Sequence, residues 1–219
     1  MSELASRSSL INVTVFVDWN SQLLIYNVSK IKDPLLLSRQ AFNSVTRKIS
    51  TCLAKSFPEL KFRVGLRIYH GWHKGYEPTA NKKAITQIIA GTDFATLSHN
   101  PSVVFMEEVG YGDNLIGAST ERLHKKLQIH LPNTVRDRQA GKGLEEKMVD
   151  TALASDVIVM AYKEPTDWIM VISEDDDFVP PLFVADSILN KNSSRALLLS
   201  TRRRSRNLIN LENILMENQ

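Results

Sequence analysis

Four consecutive acids, Glu174-Asp175-Asp176-Asp177, stand one serine beyond the apolar run Trp168-Ile169-Met170-Val171-Ile172. Adjacent carboxylates repel one another, several-fold more strongly in a partly buried cleft than in water, so a cation is expected to gather there. Carboxylate oxygens are hard donors, and without thiolates or clustered histidines they suit Mg2+ or Mn2+. Such an ion lowers the pKa of a bound water and steadies the leaving oxygen in phosphodiester cleavage, so no side-chain nucleophile is required. Two further acids have the right setting. Asp18 ends the β-rich run Ile11-Asn12-Val13-Thr14-Val15-Phe16-Val17, and Asp150 lies near the start of the periodic stretch Leu144 to Tyr162. If strand alternation continues past Ile172, Asp175 and Asp177 share one side, while Glu174 and Asp176 face away.

The elements that must position these acids read as strand, helix, strand. Residues 34–57 carry Leu35, Leu36, Phe42, Val45, Ile49 and Leu53 on one broad helical face, with Pro58 closing it. Lys61 to Tyr69 alternates apolar and polar residues, and Ser102 to Glu108 reads as a third strand. The order suits right-handed βαβ crossovers and a mainly parallel sheet. A short apolar run ending in acids then places them at the C-terminal edge, where open α/β sheets bind ligands. On a helix from 144 to 162, Glu146 and Asp150 share a face. Asp156 falls about 240° further round than Asp150, so it is the weaker cleft candidate and reads equally as a cap or core-edge hydrogen bond. A helix from Leu182 to Asn190, a strand over Ala196 to Ser200 and a closing helix over Leu208 to Met216 complete the chain.

The remaining composition sets bounds. The chain has 219 residues, 43% hydrophobic and 23% charged, with a net charge of +3, so bulk charge alone does not call for a polyanion. Its placement does more: Arg136, Arg138 and Lys142 lie in an irregular basic segment, and Arg202, Arg203, Arg204 and Arg206 follow the last strand. Both segments read as phosphate-contacting rims or as ordinary solvated loops. Cys52 is the single cysteine, which fits a reducing, cytoplasmic compartment and leaves no thiolate cluster. No apolar run has membrane-spanning length. Five histidines (His70, His73, His99, His124, His130) show no zinc spacing and no acid–base pair. The loop at His70 to Tyr76 suits base stacking, or more simply a core rim plugged by Trp72. Residues 1–10 read as a flexible tail and 11–219 as one domain.

Three stretches together resemble the NYN domain of the PIN-like ribonuclease group, with the LabA-like branch closest. They are Phe16-Val17-Asp18-Trp19-Asn20, the run Glu146 to Asp156, and Ser173 to Pro180. The resemblance covers Ile11 to Ser200 in order. It implies a three-layer α/β sandwich with an acidic Mg2+ or Mn2+ pocket on the C-terminal edge of the sheet. Asp18, Asp150, Asp175 and Asp177 fall on the family's catalytic and metal-binding acids. Asn20 falls on the polar residue beside the first acid, and Lys147 on the lysine before the helix acid. Glu174 and Asp176 depart from the pattern, which has a glycine and a small residue there. The expected function is a metal-dependent endoribonuclease. The alternatives are a catalytically weak RNA-binding or protein-interaction module and a small-phosphoester hydrolase. RNA is the expected partner, with a homo-oligomer or protein partner also in view.

Overall fold

The computed structural model describes residues 10–27, 33–98, 100–118, 134–137, 144–201 and 214–217. The first nine residues of the expected tail lie outside these, and the first strand already begins at Leu10. Six strands form one all-parallel sheet: β1 (Leu10–Asp18), β2 (Lys61–Tyr69), β5 (Val103–Tyr111), β8 (Trp168–Ile172), β9 (Ala196–Ser200) and β10 (Leu215–Glu217). Their spatial order is β10-β9-β8-β1-β2-β5. Two short hairpins lie outside the sheet, β3 (His73–Lys74) with β4 (Glu77–Pro78) and β6 (Val135–Asp137) with β7 (Leu144–Glu146).

The period of two along each strand sorts the core into two layers. Val13, Val15 and Val17 of β1, with Trp168, Met170 and Ile172 of β8 and Leu197 and Leu199 of β9, face one side. Phe16, Ile169, Val171, Ala196 and Leu198 face the other. Over the first side lies α2 (Pro34–Ser56), whose Leu37, Ala41, Phe42, Val45, Ile49 and Leu53 are buried. Asp33 caps it through Leu35 N at 2.9 Å, and Pro34 occupies the first turn, where no N–H is missed. Also on this side are α3 (Ala80–Ala90), through Ile85 and Ile88, and the short α4 (Phe94–Leu97), through Phe94. The second side is covered by α5 (Val149–Lys163) and α6 (Val179–Leu189). Each large apolar side chain withdrawn from water this way contributes about 2 kcal/mol. The result is the expected three-layer α/β sandwich. No helix among the described residues is long and apolar enough to cross a membrane.

Four local expectations need correction. The chain passes from β1 straight into an unforeseen helix, α1 (Trp19–Asn27), which buries Trp19 completely. The stretch 144–162 is not one helix: Leu144–Glu146 pairs with β6, and α5 starts only at Val149 after Met148 takes a left-handed φ of 66°. Leu144 and Met148 fit the helical period, but Lys147 N is bonded to Thr134 O at 2.9 Å and holds this segment against β6. Leu215–Glu217 is a strand rather than the end of a helix, and gives β9 a ladder partner on its outer side. Residues 208–213 of that expected helix lie outside the described residues. Pro180 and Pro181 open α6 instead of merely stopping the strand before it.

Candidate active site

The chain builds outward from β1 in both directions, first through β2 and β5, then through β8, β9 and β10. Where such an order reverses, connections leave on opposite faces and a crevice opens at the carboxyl ends of the two strands. Here the reversal falls between β1 and β8. Asp18 is the last residue of β1 and Ser173 the first beyond β8, and Ser173 Oγ donates to Asp18 Oδ2 at 2.6 Å. Ser21 N in the first turn of α1 donates to Asp18 Oδ1 at 3.2 Å. Asp18 is thus a buried carboxylate with both oxygens occupied. Burial pushes its carboxyl above the ordinary range, Glu146 adds to the shift, and the bonds from Ser173 and Ser21 oppose it without cancelling it.

Around it is a cleft of about 530 Å³ lined by six acids, Asp18, Glu145, Glu146, Asp150, Glu174 and Asp175, together with Asn20. Asp150, in the first turn of α5, is an exposed residue beside the other acids. Desolvation at the cleft wall, then the charges of Asp18, Asp175, Glu146 and Asp177, raise its carboxyl from 3.8 to about 6. A helix N-terminus favours a carboxylate; here repulsion and desolvation outweigh it. The proton is therefore held more tightly in the folded chain. That stabilising contribution is present below about pH 4 and is lost as pH rises through about 6. Asp150→Asn is expected to raise the melting temperature at pH 7.5 in EDTA, with the gap closing by pH 4. Solvent screening keeps the effect to about 1 kcal/mol or less. A variant that melts below wild type at pH 7.5 contradicts the repulsion argument.

The segment after β8 does not continue as a strand, so alternation does not govern it. Asp175 Oδ1 accepts from Asp177 N at 3.0 Å and caps a 3-10 turn over Asp176–Phe178. Phe178 anchors that turn in the core. Asp175 lines the cleft; Asp177 is exposed in the turn and lies outside the lining, close enough to act on Asp150 by charge. Glu174, expected to face away, is a cleft wall. Its Oε2 accepts from Ser200 Oγ at 2.9 Å and its Oε1 from Thr201 N at 2.8 Å, tying the end of β8 to the end of β9.

Glu146 reaches the cleft from β7, not from the helix that carries Asp150. Its Oε1 accepts from Gly71 N at 2.6 Å and lies 2.6 Å from His70 Nδ1. Burial alone would raise this carboxyl; His70, by hydrogen bond and charge, and the Gly71 amide outweigh it and hold it below the ordinary range. Gly71 is required by closeness: a Cβ there would stand 2.5 Å from Val135 Cγ2 and 2.8 Å from Glu146 Oε1. Trp72 is fully buried, as its core-rim reading anticipates. Lys147 pairs with Glu145 at 3.3 Å and does not line the cleft. Asp156 is buried against β2, accepting from Tyr69 Oη at 2.6 Å, Arg67 Nη2 at 3.2 Å and Ile116 N at 2.7 Å.

Arg136 is exposed on β6, with Nη2 4.0 Å from Met148 Sδ. Arg138, Lys142, Arg202, Arg203, Arg204 and Arg206 lie outside the described residues. The sequence pattern missed Ser173, Glu146 and His70 as site residues. Ser173 had one usable signal, a hydroxyl between a buried strand and its acids. Comparison with known protein families, characterised proteins and solved structures returns no match. Among the described residues, no three His, Cys, Asp or Glu side chains converge tightly enough to hold an ion as they stand. The donor chemistry nevertheless fits a hard cation, because the cleft is lined with carboxylates, whose repulsion adds to desolvation in raising Asp150.

Proposed function

We propose that the chain is a metal-dependent endoribonuclease of the PIN-like, NYN type its sequence resembles. The observation that carries this reading is the six-acid cleft at the strand reversal, with the Asp150 carboxyl driven up to about 6 by desolvation and then by its acidic neighbours. Asp18, Asp150 and Asp175 would hold a Mg2+ or Mn2+ ion, with Glu146 and Glu174 on the adjoining walls. When bound, such an ion supplies an activated water and neutralises charge on the phosphate. Ser173 and Ser21 orient Asp18, so its position does not depend on the ion. Asp175 is held by the turn it caps. Asn20, exposed at the cleft, is placed to meet a phosphate or ribose oxygen. Arg136 and the basic segments around 138–142 and 202–206 favour a polymer over a small phosphoester. Cys52, the single cysteine of the sequence, is buried, which suits a cytoplasmic setting.

A second reading, an RNA-binding or interaction module with little catalysis, is favoured by the lack of three converged ligands among the described residues. Incubating an RNA and DNA panel with Mn2+, Mg2+ or EDTA, beside Asp175→Asn, separates the two. Cation-dependent RNA cleavage that EDTA and the variant both stop supports the nuclease. RNA retained without cleavage under every cation supports the module.

A further inference from the structure

His70 is the first residue past β2, whose last residue, Tyr69, is in register with Asp18. Its side chain is 8% exposed and packs edge-on against Trp72, with ring centroids 5.1 Å apart. The start of α3 is bound to the same loop: Thr79 Oγ1 donates to Gly71 O at 3.0 Å, and Thr79 N donates to Trp72 O at 2.9 Å. That attachment brings Asn81 onto the ring, with Nδ2 2.6 Å from His70 Nε2. An amide NH2 facing a ring nitrogen at that distance requires a lone pair on the nitrogen. The ring proton then belongs on Nδ1, which lies 2.6 Å from Glu146 Oε1, a close but bent approach. Oε1, with Gly71 N also on it, is fully engaged. The remaining oxygen, Oε2, is the one available to the cleft that Glu146 lines.

We propose that Glu146 is a working acid of the cleft and that Asn81 and His70 form the relay that positions it. Asn81 fixes the ring tautomer, His70 fixes Oε1, and Oε2 is presented to the cation or its bound water. His70 is here a positioning residue, and it explains how an acid three residues before α5 is aimed as firmly as one on the helix. The inference rests on the reading of the cleft as a cation-assisted site. It adds to that reading an acid and a two-residue support which acid spacing alone does not reveal.

Nitrogen-resolved NMR of the His70 ring, at neutral pH and without added metal, tests the relay directly. The expected result is a proton on Nδ1; a ring protonated at Nε2 alone overturns the proposal whatever the activity. Calorimetric titration with Mn2+ then compares wild type, His70→Leu and His70→Asn. Leucine fills the space without a donor, whereas asparagine keeps an N–H close to the place of Nδ1. His70→Leu is expected to weaken Mn2+ binding about tenfold or more, and His70→Asn to recover most of the loss. Should His70→Leu fail to fold, Asn81→Ala, which frees the tautomer without touching the core, is expected to weaken Mn2+ in the same direction. Equal Mn2+ affinity across the folded variants overturns the relay and leaves the cleft reading standing. A wild type that binds Mn2+ but spares RNA overturns the nuclease reading, while the variants still decide His70. A wild type that takes up no Mn2+ overturns both.

Discussion

Asp18→Asn will cut cation-dependent RNA cleavage by at least about a hundredfold while the protein stays folded. Residues that merely support a metal ligand cost ten- to a hundredfold when changed, so a ligand itself should cost no less. Asp18 is the acid most deeply set in the cleft, and its two oxygens are held by Ser173 and Ser21. An asparagine keeps the size and one acceptor, so one of those two bonds survives. It also removes a charge whose carboxyl is already raised by burial and by Glu146, which offsets part of the lost bond. Melting in EDTA should therefore move little, and cleavage across a Mn2+ series should collapse. Wild-type turnover in a folded Asp18→Asn protein would end the metal-cleft reading.

Asp156→Ala will have the opposite signature, a loss of stability of about 3–5 kcal/mol. The carboxylate is 1% exposed, and its removal takes the acceptor from the Tyr69 hydroxyl and the Ile116 amide and this counter-charge from the Arg67 guanidinium, which keeps Tyr111 O and Asn114 O. Burial already pushes the Tyr69 hydroxyl well above its ordinary range, so Tyr69 will not ionise to compensate. Urea melts monitored by circular dichroism give the size of the loss. Asp156→Asn, which retains an acceptor for Tyr69, should lose less and should still cleave RNA. If Asp156→Asn folds fully and cleaves nothing, Asp156 belongs to the chemistry and not to the frame.

The parallel strands were legible because strands buried on both faces must be apolar throughout: 168–172 and 196–200 read as strands and are strands. The long helix at 34–57 was equally plain, since its period and its stop before Pro58 agree with the observed α2, which ends at Ser56. The acids at 18 and 175 were placed at one sheet edge from strand ends, and Asp150 from the start of a helical stretch and the family resemblance; all three line the cleft. What failed was extrapolation of a period beyond its element. Alternation was carried from β8 into residues that form a turn, and that reversed Glu174 and displaced Asp177. Helical period was carried back through Met148, whose left-handed backbone ends the helix there, and that put Glu146 on the wrong element. Partners far apart in the chain, such as His70 with Glu146 or Ser173 with Asp18, leave no periodic trace at all.

The strand reversal at β1 has a consequence for how the molecule is made. β2, on one side of β1, follows within about fifty residues, but Ser173 meets Asp18 across 155 residues of chain. Closing so long a loop is entropically costly before any contact rewards it, and parallel pairing of this kind is slow. An N-terminal portion ending at β5 holds β1, β2 and four helices on one face, yet leaves the Trp168 side of β1 an open ladder edge. Such an edge invites pairing with another chain until β8 arrives. During synthesis the acids of the cleft meet last, so Asp18 spends that interval as an isolated carboxylate beside an unprotected strand.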